Sequence, residues 1–381
     1  MRILLTSPYD LAVPGGVNRH ALDLLAGLLE RGHEVKLVGP ASAPVDPRGG
    51  HVLTVGRVWT GAFNGAVSRV TLQPGIAGRV RQLVRGFAPE VVHTQEPFLP
   101  ALNTFALLFA RGARRVGTFH TYAEANRGYL YAWPWCNWVN SLLDVRIAVS
   151  AAARDFAAEY HPADYTIVPH GIRLPDGARA PAGEAGRGPV RVLMVGRIGE
   201  PRKGFGVLQA AWAQVDARAP GRFRLAVAGP DAPVRSELPI DWLGRLSEAE
   251  LSAAYAAADI VVVPSIGGES FGLVGLEALA HGTPVIASRI RGYADWLGGT
   301  AAAQLVPPAD PGALAAALLA WAEPAARAAA AAATRAVAAR FARDRQVERM
   351  LRLYGAGAAE PDPCRTGNRV PGAARSAVHA D

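Results

Sequence analysis

Gly267-Gly268-Glu269-Ser270-Phe271-Gly272-Leu273-Val274-Gly275-Leu276-Glu277 follows an apolar run at 260–263 that ends in Pro264, and it leads into a helix-compatible segment at 276–280. A buried strand would therefore deliver a glycine-flexed turn carrying one carboxylate, with a second carboxylate about two turns into a helix. Backbone N–H groups of Ser270, Phe271 and Gly272 would stand at the helix N-terminus, where a diphosphate is well received. Glu269 could accept hydrogen bonds from sugar hydroxyls, and Glu277 from a ribose diol. An ordinary strand–turn–helix with two surface glutamates fits the same letters, so support must come from the rest of the chain.

Short apolar runs recur at 3–6, 35–38, 91–94, 116–121, 146–149 and 166–168, and again at 190–195, 223–228, 260–263 and 284–287. Helix-period segments alternate with them, beginning with 17–30, which is the pattern of parallel βαβ units. A stretch rich in Gly, Ala, Pro and Arg at 177–189 separates the two series and reads as a linker. The expectation is an α/β chain of two doubly wound domains, 1–172 and 173–340. A closing helix is expected at 341–355, where Val347, Met350, Leu351 and Tyr354 share one face. Residues 356–381 lack apolar periodicity and are expected to form a disordered tail.

The 381 residues carry 40 basic and 32 acidic side chains, a formal net charge of +8 that favours phosphate-bearing partners. The basic residues are scattered and form no nucleic-acid module, so nucleic acid is not an expected partner. Cys136 and Cys364 lie far apart and outside any CxxC or Cys/His cluster, which argues against a disulfide framework or zinc site and for a reducing cytoplasm. The chain enters a strand at Arg2, so no secretory leader is expected. No apolar run approaches the roughly twenty residues of a membrane span, and any membrane contact would be peripheral.

Pro14-Gly15-Gly16-Val17 sits between the first strand and the first helix, where glycines let a backbone approach a ligand closely. It is not a GxGxxG, which disfavours a nicotinamide or flavin cofactor. Arg197 and the Arg202-Lys203-Gly204 loop follow the first strand of the second domain; Arg197 offers a fork and Lys203 a point charge to a departing diphosphate, though a solvated basic loop reads the same way. His120 ends the fourth strand and could bond a substrate, or be structural as lone histidines often are. In 75–87, Ile76, Val80, Leu83, Val84 and Phe87 form an apolar face beside Arg79, Arg81 and Arg85. Such a helix packs on a sheet, lies on anionic lipid, or does both. The aromatic cluster at 129–138 suits core packing, an acceptor pocket or a membrane interface alike.

Together these residues resemble one family. Glu269 and Glu277 look like the paired glutamates of family 4 retaining glycosyltransferases, with 259–265 before them and Gly282-Thr283-Pro284-Val285-Ile286-Ala287 after. Arg197, Lys203 and the Gly15-Gly16 loop match the family's donor-phosphate elements, and Val168-Pro169-His170-Gly171-Ile172 its hinge. The resemblance covers residues 1 to 355. It implies a GT-B fold of two Rossmann-like domains facing across a cleft, with the C-terminal helix returning to the first. Within the family the chain is most similar to phosphatidylinositol alpha-mannosyltransferases, through Ser7-Pro8-Tyr9, 13–17, 63–69, Thr118-Phe119-His120-Thr121 and Glu200-Pro201-Arg202-Lys203-Gly204.

This resemblance implies transfer of a hexose, mannose from GDP-mannose, to phosphatidylinositol. It implies His120, Arg197, Lys203 and Glu269 in catalysis; Gly15, Gly16, Ser270, Phe271, Gly272 and Glu277 also at the donor; and Tyr9, Asn18, Asn64, Arg69 and Thr121 at the acceptor. Arg79, Arg81 and Arg85 match its membrane-docking element, on the inner face of the plasma membrane. No tightly bound cofactor or protein metal site is implied; a magnesium ion would travel with the diphosphate. The sequence departs from that pattern at Asn18, at Glu124-Ala125, at 244–248 and in the 129–138 cluster. A UDP-sugar donor with a soluble or different lipid acceptor, or a non-catalytic nucleotide-sugar-binding protein, are the competing readings. Oligomeric state is not legible.

Overall fold

A computed structural model describes residues 1–63, 66–123, 133–175, 188–230 and 239–355; the side chains of 62–68 lie outside that description. The linker expected at 177–189 falls almost wholly outside it, as do Asn64, the first part of the aromatic cluster and the expected tail.

The first half of the chain forms β1 (Arg2–Thr6), β2 (Glu34–Gly39), β3 (Val52–Thr54), a hairpin of β4 (Trp59–Phe63) and β5 (Ala66–Val70), then β6 (Val91–Gln95), β7 (Arg114–Phe119), β8 (Val145–Ala148) and β9 (Thr166–Ile167). Seven of these make one sheet in the order β3-β2-β1-β6-β7-β8-β9, parallel throughout. The second half forms β10 (Val190–Val195), β11 (Phe223–Ala228), β12 (Ile240–Gly244), β13 (Ile260–Val263), β14 (Val285–Ser288) and β15 (Ala303–Val306). These make a second parallel sheet in the order β12-β11-β10-β13-β14-β15. Inner strands such as Ile260-Val261-Val262-Val263 are buried along their whole length because helices cover both faces of a parallel sheet.

In each sheet the strand order reverses once, between β1 and β6 and between β10 and β13. The carboxyl ends of strands at such a reversal diverge and leave a crevice, where open α/β sheets bind ligands. The candidate site grows from those four strand ends.

Several expected boundaries shift for local reasons. β7 stops at Phe119, so His120 and Thr121 lie in the loop beyond the sheet. β14 starts after Pro284, which has no N–H to give the ladder. The basic segment divides into a 3₁₀ turn, Pro74–Ile76, and a helix, Ala77–Phe87. Its Val80, Val84 and Phe87 are buried in the core of the first sheet, while Arg79, Arg81 and Arg85 are exposed.

The chain leaves the first sheet and returns to it at neighbouring points. Ile172 N–H donates to the carbonyl of Phe341 (2.8 Å), and Arg343 N–H donates to that of Ile172 (2.9 Å). The helix Arg343–Gly355 then packs on the helix Gly16–Leu29, burying Val347, Met350 and Tyr354 among Ile3, Leu5, Leu24 and Leu28. The packing is close at Gly27, where a Cβ would come within 2.6 Å of Val347 Cγ2. Gly27→Val is therefore expected to overpack this contact and lower stability by about 1–3 kcal/mol in chemical denaturation. An unchanged midpoint would contradict the contact.

Candidate active site

A cavity of about 960 Å³ lies between the two sheets and is lined from both. Two helices point their N-termini at it. The helix Gly16–Leu29 starts behind β1 and the helix Leu273–Ala280 behind β13, and a Cβ on Gly16 would sit 3.4 Å from Leu273 Cδ1. Each helix end carries about half a positive charge in unpaired N–H groups, which favours an anion between them. The second helix can start sharply because Gly272 is left-handed (φ +86°), and a Cβ there would strike the Tyr293 ring at 2.2 Å.

The charges on the second-sheet side of the cavity are interleaved. Lys203 Nζ meets Glu269 Oε1 at 2.6 Å, and Arg202 bonds the same oxygen. Arg202 also reaches Glu200 (2.7 Å) and the Gly268 carbonyl (3.2 Å), while Arg197 pairs with Glu200 (2.8 Å). Three cations thus share two carboxylates, which fixes their positions and leaves a net positive charge beside the helix N-terminus. Glu200 and Arg202 were not named as site residues from the sequence. Their partner Glu269 lies almost seventy residues downstream, and only folding brings the loops together.

Gly15, Gly16, Arg197, Lys203, Glu269, Ser270, Phe271, Gly272 and Glu277 all line the cavity, as do Tyr9, His120 and Thr121. Glu277 accepts from the Tyr255 hydroxyl (2.7 Å), and burial raises its carboxyl pKa. Phe271 takes a second role. Its ring stacks on Trp296 at 5.2 Å and meets His170 of the hinge edge-on, also at 5.2 Å, so most of it is committed to packing. Arg19, a cavity residue not picked out earlier, joins the two halves through Asp23 (2.9 Å) and Glu248 (2.8 Å).

Two expected acceptor residues are placed differently. Asn18 is buried and spends its amide on Ser7 Oγ (2.7 Å) and on the carbonyls of Asp10 (2.8 Å) and Val13 (3.2 Å). It braces the glycine loop from behind and does not line the cavity. Arg69 also lies outside the lining, 3.9 Å from Asp10. Trp135 of the helix Trp133–Ser141 does reach the cavity, and Trp133, Trp135 and Trp138 are all exposed. Among the described residues no cluster of His, Cys, Asp and Glu is arranged to hold a metal, and no helix is long and apolar enough to cross a membrane.

At the cavity wall, His20, His120 and His170 pack ring against ring, with centroids 4.9–5.3 Å apart, and His120 and His170 line the cavity. His120 Nε2 bonds Gln95 Oε1 (2.8 Å), and His20 Nδ1 lies 3.0 Å from His170 Nδ1. Burial, reinforced by mutual repulsion for His120 and His170, holds these rings well below the usual imidazole range, with His20 near 4. His120 is therefore a neutral hydrogen-bonding group at pH 7, not a cation.

With the geometry in view, the comparisons are specific. Residues 14–174 match the family model described as Glycosyltransferase Family 4, and residues 189–323 the one described as Glycosyl transferases group 1. The chain belongs to family 4 of the glycosyltransferases. It is 35% identical over 330 residues to the phosphatidyl-myo-inositol mannosyltransferase of Mycobacterium leprae, covering 83% of this chain and 86% of that protein. It is also 35% identical over 305 residues to the enzyme of the same name from Propionibacterium freudenreichii, covering 78% and 79%. The sucrose-phosphate synthase of Thermosynechococcus elongatus superposes with a TM-score of 0.74 at 23% identity, over 93% of this chain and 98% of that one. These likenesses establish the GT-B architecture of this glycosyltransferase.

Neutral histidines in this glycosyltransferase have a cost in acid. The unfolded rings titrate near 6.5 and the folded ones lower, so the unfolded chain takes up protons first. Stability is present above 6.5, and each ring removes about 1.4 kcal/mol per pH unit as pH falls toward its folded value. Histidine ring NMR is expected to show His20, His120 and His170 neutral down to pH 5 or so. Any of the three titrating near 6.5 would refute their burial as a cluster.

Proposed function

We propose that the chain transfers mannose from GDP-mannose, with retention of configuration, to a ring hydroxyl of phosphatidylinositol at the inner surface of the plasma membrane. The observation that carries the reading is one cavity that joins a cation-rich strand-end crevice in the second sheet to a hydroxyl-lined wall in the first. The similarity to the mannosyltransferases supports the choice of sugar and lipid.

On the donor side, Arg197, Arg202 and Lys203 stabilise the charge that grows on the leaving diphosphate, helped by the N–H groups at Leu273. Glu277 takes the ribose diol, Glu269 a sugar hydroxyl, and neutral His120 a second hydroxyl without competing for the phosphates. In the reaction, the bond from the sugar's anomeric carbon to the diphosphate oxygen breaks. The acceptor oxygen bonds to the same face, and its proton passes to the leaving phosphate. Any magnesium ion comes with the diphosphate rather than from a protein site.

Two surface features support a lipid acceptor. Arg79, Arg81 and Arg85 face outward over a helix whose apolar side is already used, which leaves them for anionic headgroups. The exposed tryptophans at 133, 135 and 138 have the apolar body and polar edge suited to a membrane interface, and Trp135 also walls the cavity.

A donor panel of GDP-mannose, UDP-glucose and related sugars, with and without phosphatidylinositol vesicles, tests the reading. Preference for GDP-mannose, with turnover raised at least tenfold by the vesicles, is the expected result. Preference for a UDP-sugar, or indifference to lipid, would move the enzyme to another branch of its family.

A further inference from the structure

Glu96 occupies the carboxyl end of β6, at the strand-order reversal of the first sheet and directly across the cavity from the donor loops. Its backbone is left-handed (φ +51°), a conformation that costs a non-glycine residue about 1 kcal/mol or more. Asn103 holds it there through the Glu96 carbonyl (2.9 Å) and is itself held by Thr6 (2.7 Å). The side chain is only 3% exposed, yet it lines the cavity. Its Oε1 accepts from the His120 N–H (2.8 Å) and from the Thr121 hydroxyl (2.7 Å). No cation pairs with it among the described residues.

A buried carboxylate without a counter-ion is expensive. Its protein donors, the backbone N–H groups of His120 and Thr121 and the Thr121 hydroxyl, are all neutral, and a glutamine oxygen can accept from the same groups. Among the described residues nothing neutralises that negative charge, and a strained backbone presents it to the cavity. The neighbours show what it faces. Thr121 is bonded to it, and the Tyr9 phenol is close enough for the Glu96 charge, added to burial, to raise its pKa. A carboxylate in that setting attracts hydroxyl donors and repels phosphate.

We infer that Glu96 is an acceptor-binding residue whose carboxylate accepts from ring hydroxyls of a polyol head group and turns the acceptor's phosphate away from the donor diphosphate. The inference rests on the acceptor reading above and adds the polarity of binding: hydroxyls inward at Glu96, phosphate outward toward the cavity mouth. One anion, the donor diphosphate, is drawn in by the second sheet; a second anion is kept from the reacting end by the first.

Glu96→Gln keeps an oxygen that accepts from His120 and Thr121 and removes the charge. With phosphatidylinositol vesicles, the variant is expected to raise the acceptor KM at least tenfold with kcat changed far less, while GDP affinity in calorimetry stays at the wild-type value. Burial raises the pKa of this carboxyl, so acceptor kcat/KM of the wild type should fall as pH drops through it, and the variant should lack that limb. Monodeoxy-inositol phospholipids give the sharpest arm. Removing one particular ring hydroxyl should hurt the wild type and leave Glu96→Gln indifferent. An acceptor KM within twofold of wild type and an unaltered pH profile would overturn the inference and leave the function standing. Parallel loss of GDP affinity and melting temperature would assign Glu96 a structural role and also overturn it. Wild-type enzyme that binds GDP but transfers nothing to phosphatidylinositol would sink the acceptor reading and this inference with it.

Discussion

Two backbone hydrogen bonds at Ile172, to Phe341 and from Arg343, constrain everything else in the molecule. They tie the outgoing and returning strands of the chain at one place, so the sheets can face each other in only a narrow range of ways. The return helix, seated against Gly27 and closed by the Tyr354 hydroxyl on His93 (2.6 Å), anchors that junction in the first core. Given the junction, the strand-order reversal of one sheet looks onto that of the other. Four strand ends and two helix N-termini then converge on a single cavity, and the rest of the site is a matter of which side chains those ends carry.

The two walls solve different electrostatic problems. The second-sheet wall holds three cations close together, and Glu200 and Glu269 interleave with them to offset their repulsion. In the proposed reading, the first-sheet wall presents polar groups without adding positive charge that would hold a diphosphate in the wrong place. It does this with histidines that burial keeps neutral and with the carboxylate of Glu96. Arg19 and Glu248 bridge the walls at the surface, a contact exposed enough to contribute little to stability.

The architecture was readable because inner parallel strands carry continuous apolar runs, and residues 192–195 and 260–263 could be little else. Edge strands were not: β3 is three residues long, β12 alternates exposed Asp241 and Leu243 with half-buried Ile240 and Trp242, and the β4–β5 hairpin lies between two clear signals. The paired glutamates and the Lys203 loop were legible from spacing. Glu200, Arg202, Arg19 and Glu96 were not, because each acquires its meaning from a partner distant in sequence. Glu96 did leave one trace, an acidic residue placed directly after a strand that opens on two valines and turns polar toward its end, Val91-Val92-His93-Thr94-Gln95. Phe271 and Asn18 show the converse. Their positions in the motif suggested ligand contact, yet aromatic packing claims much of one and loop bracing the amide of the other.

The interleaved cluster at Arg197, Arg202 and Lys203 is proposed to be a diphosphate site. Calorimetric titration with GDP and with GMP tests it directly, in the wild type and in Lys203→Ala. GDP should bind at least tenfold more tightly than GMP to the wild type, and Lys203→Ala should erase most of that difference while sparing GMP. Equal affinity for the two nucleotides, or a GDP preference that survives Lys203→Ala unchanged, would contradict the account.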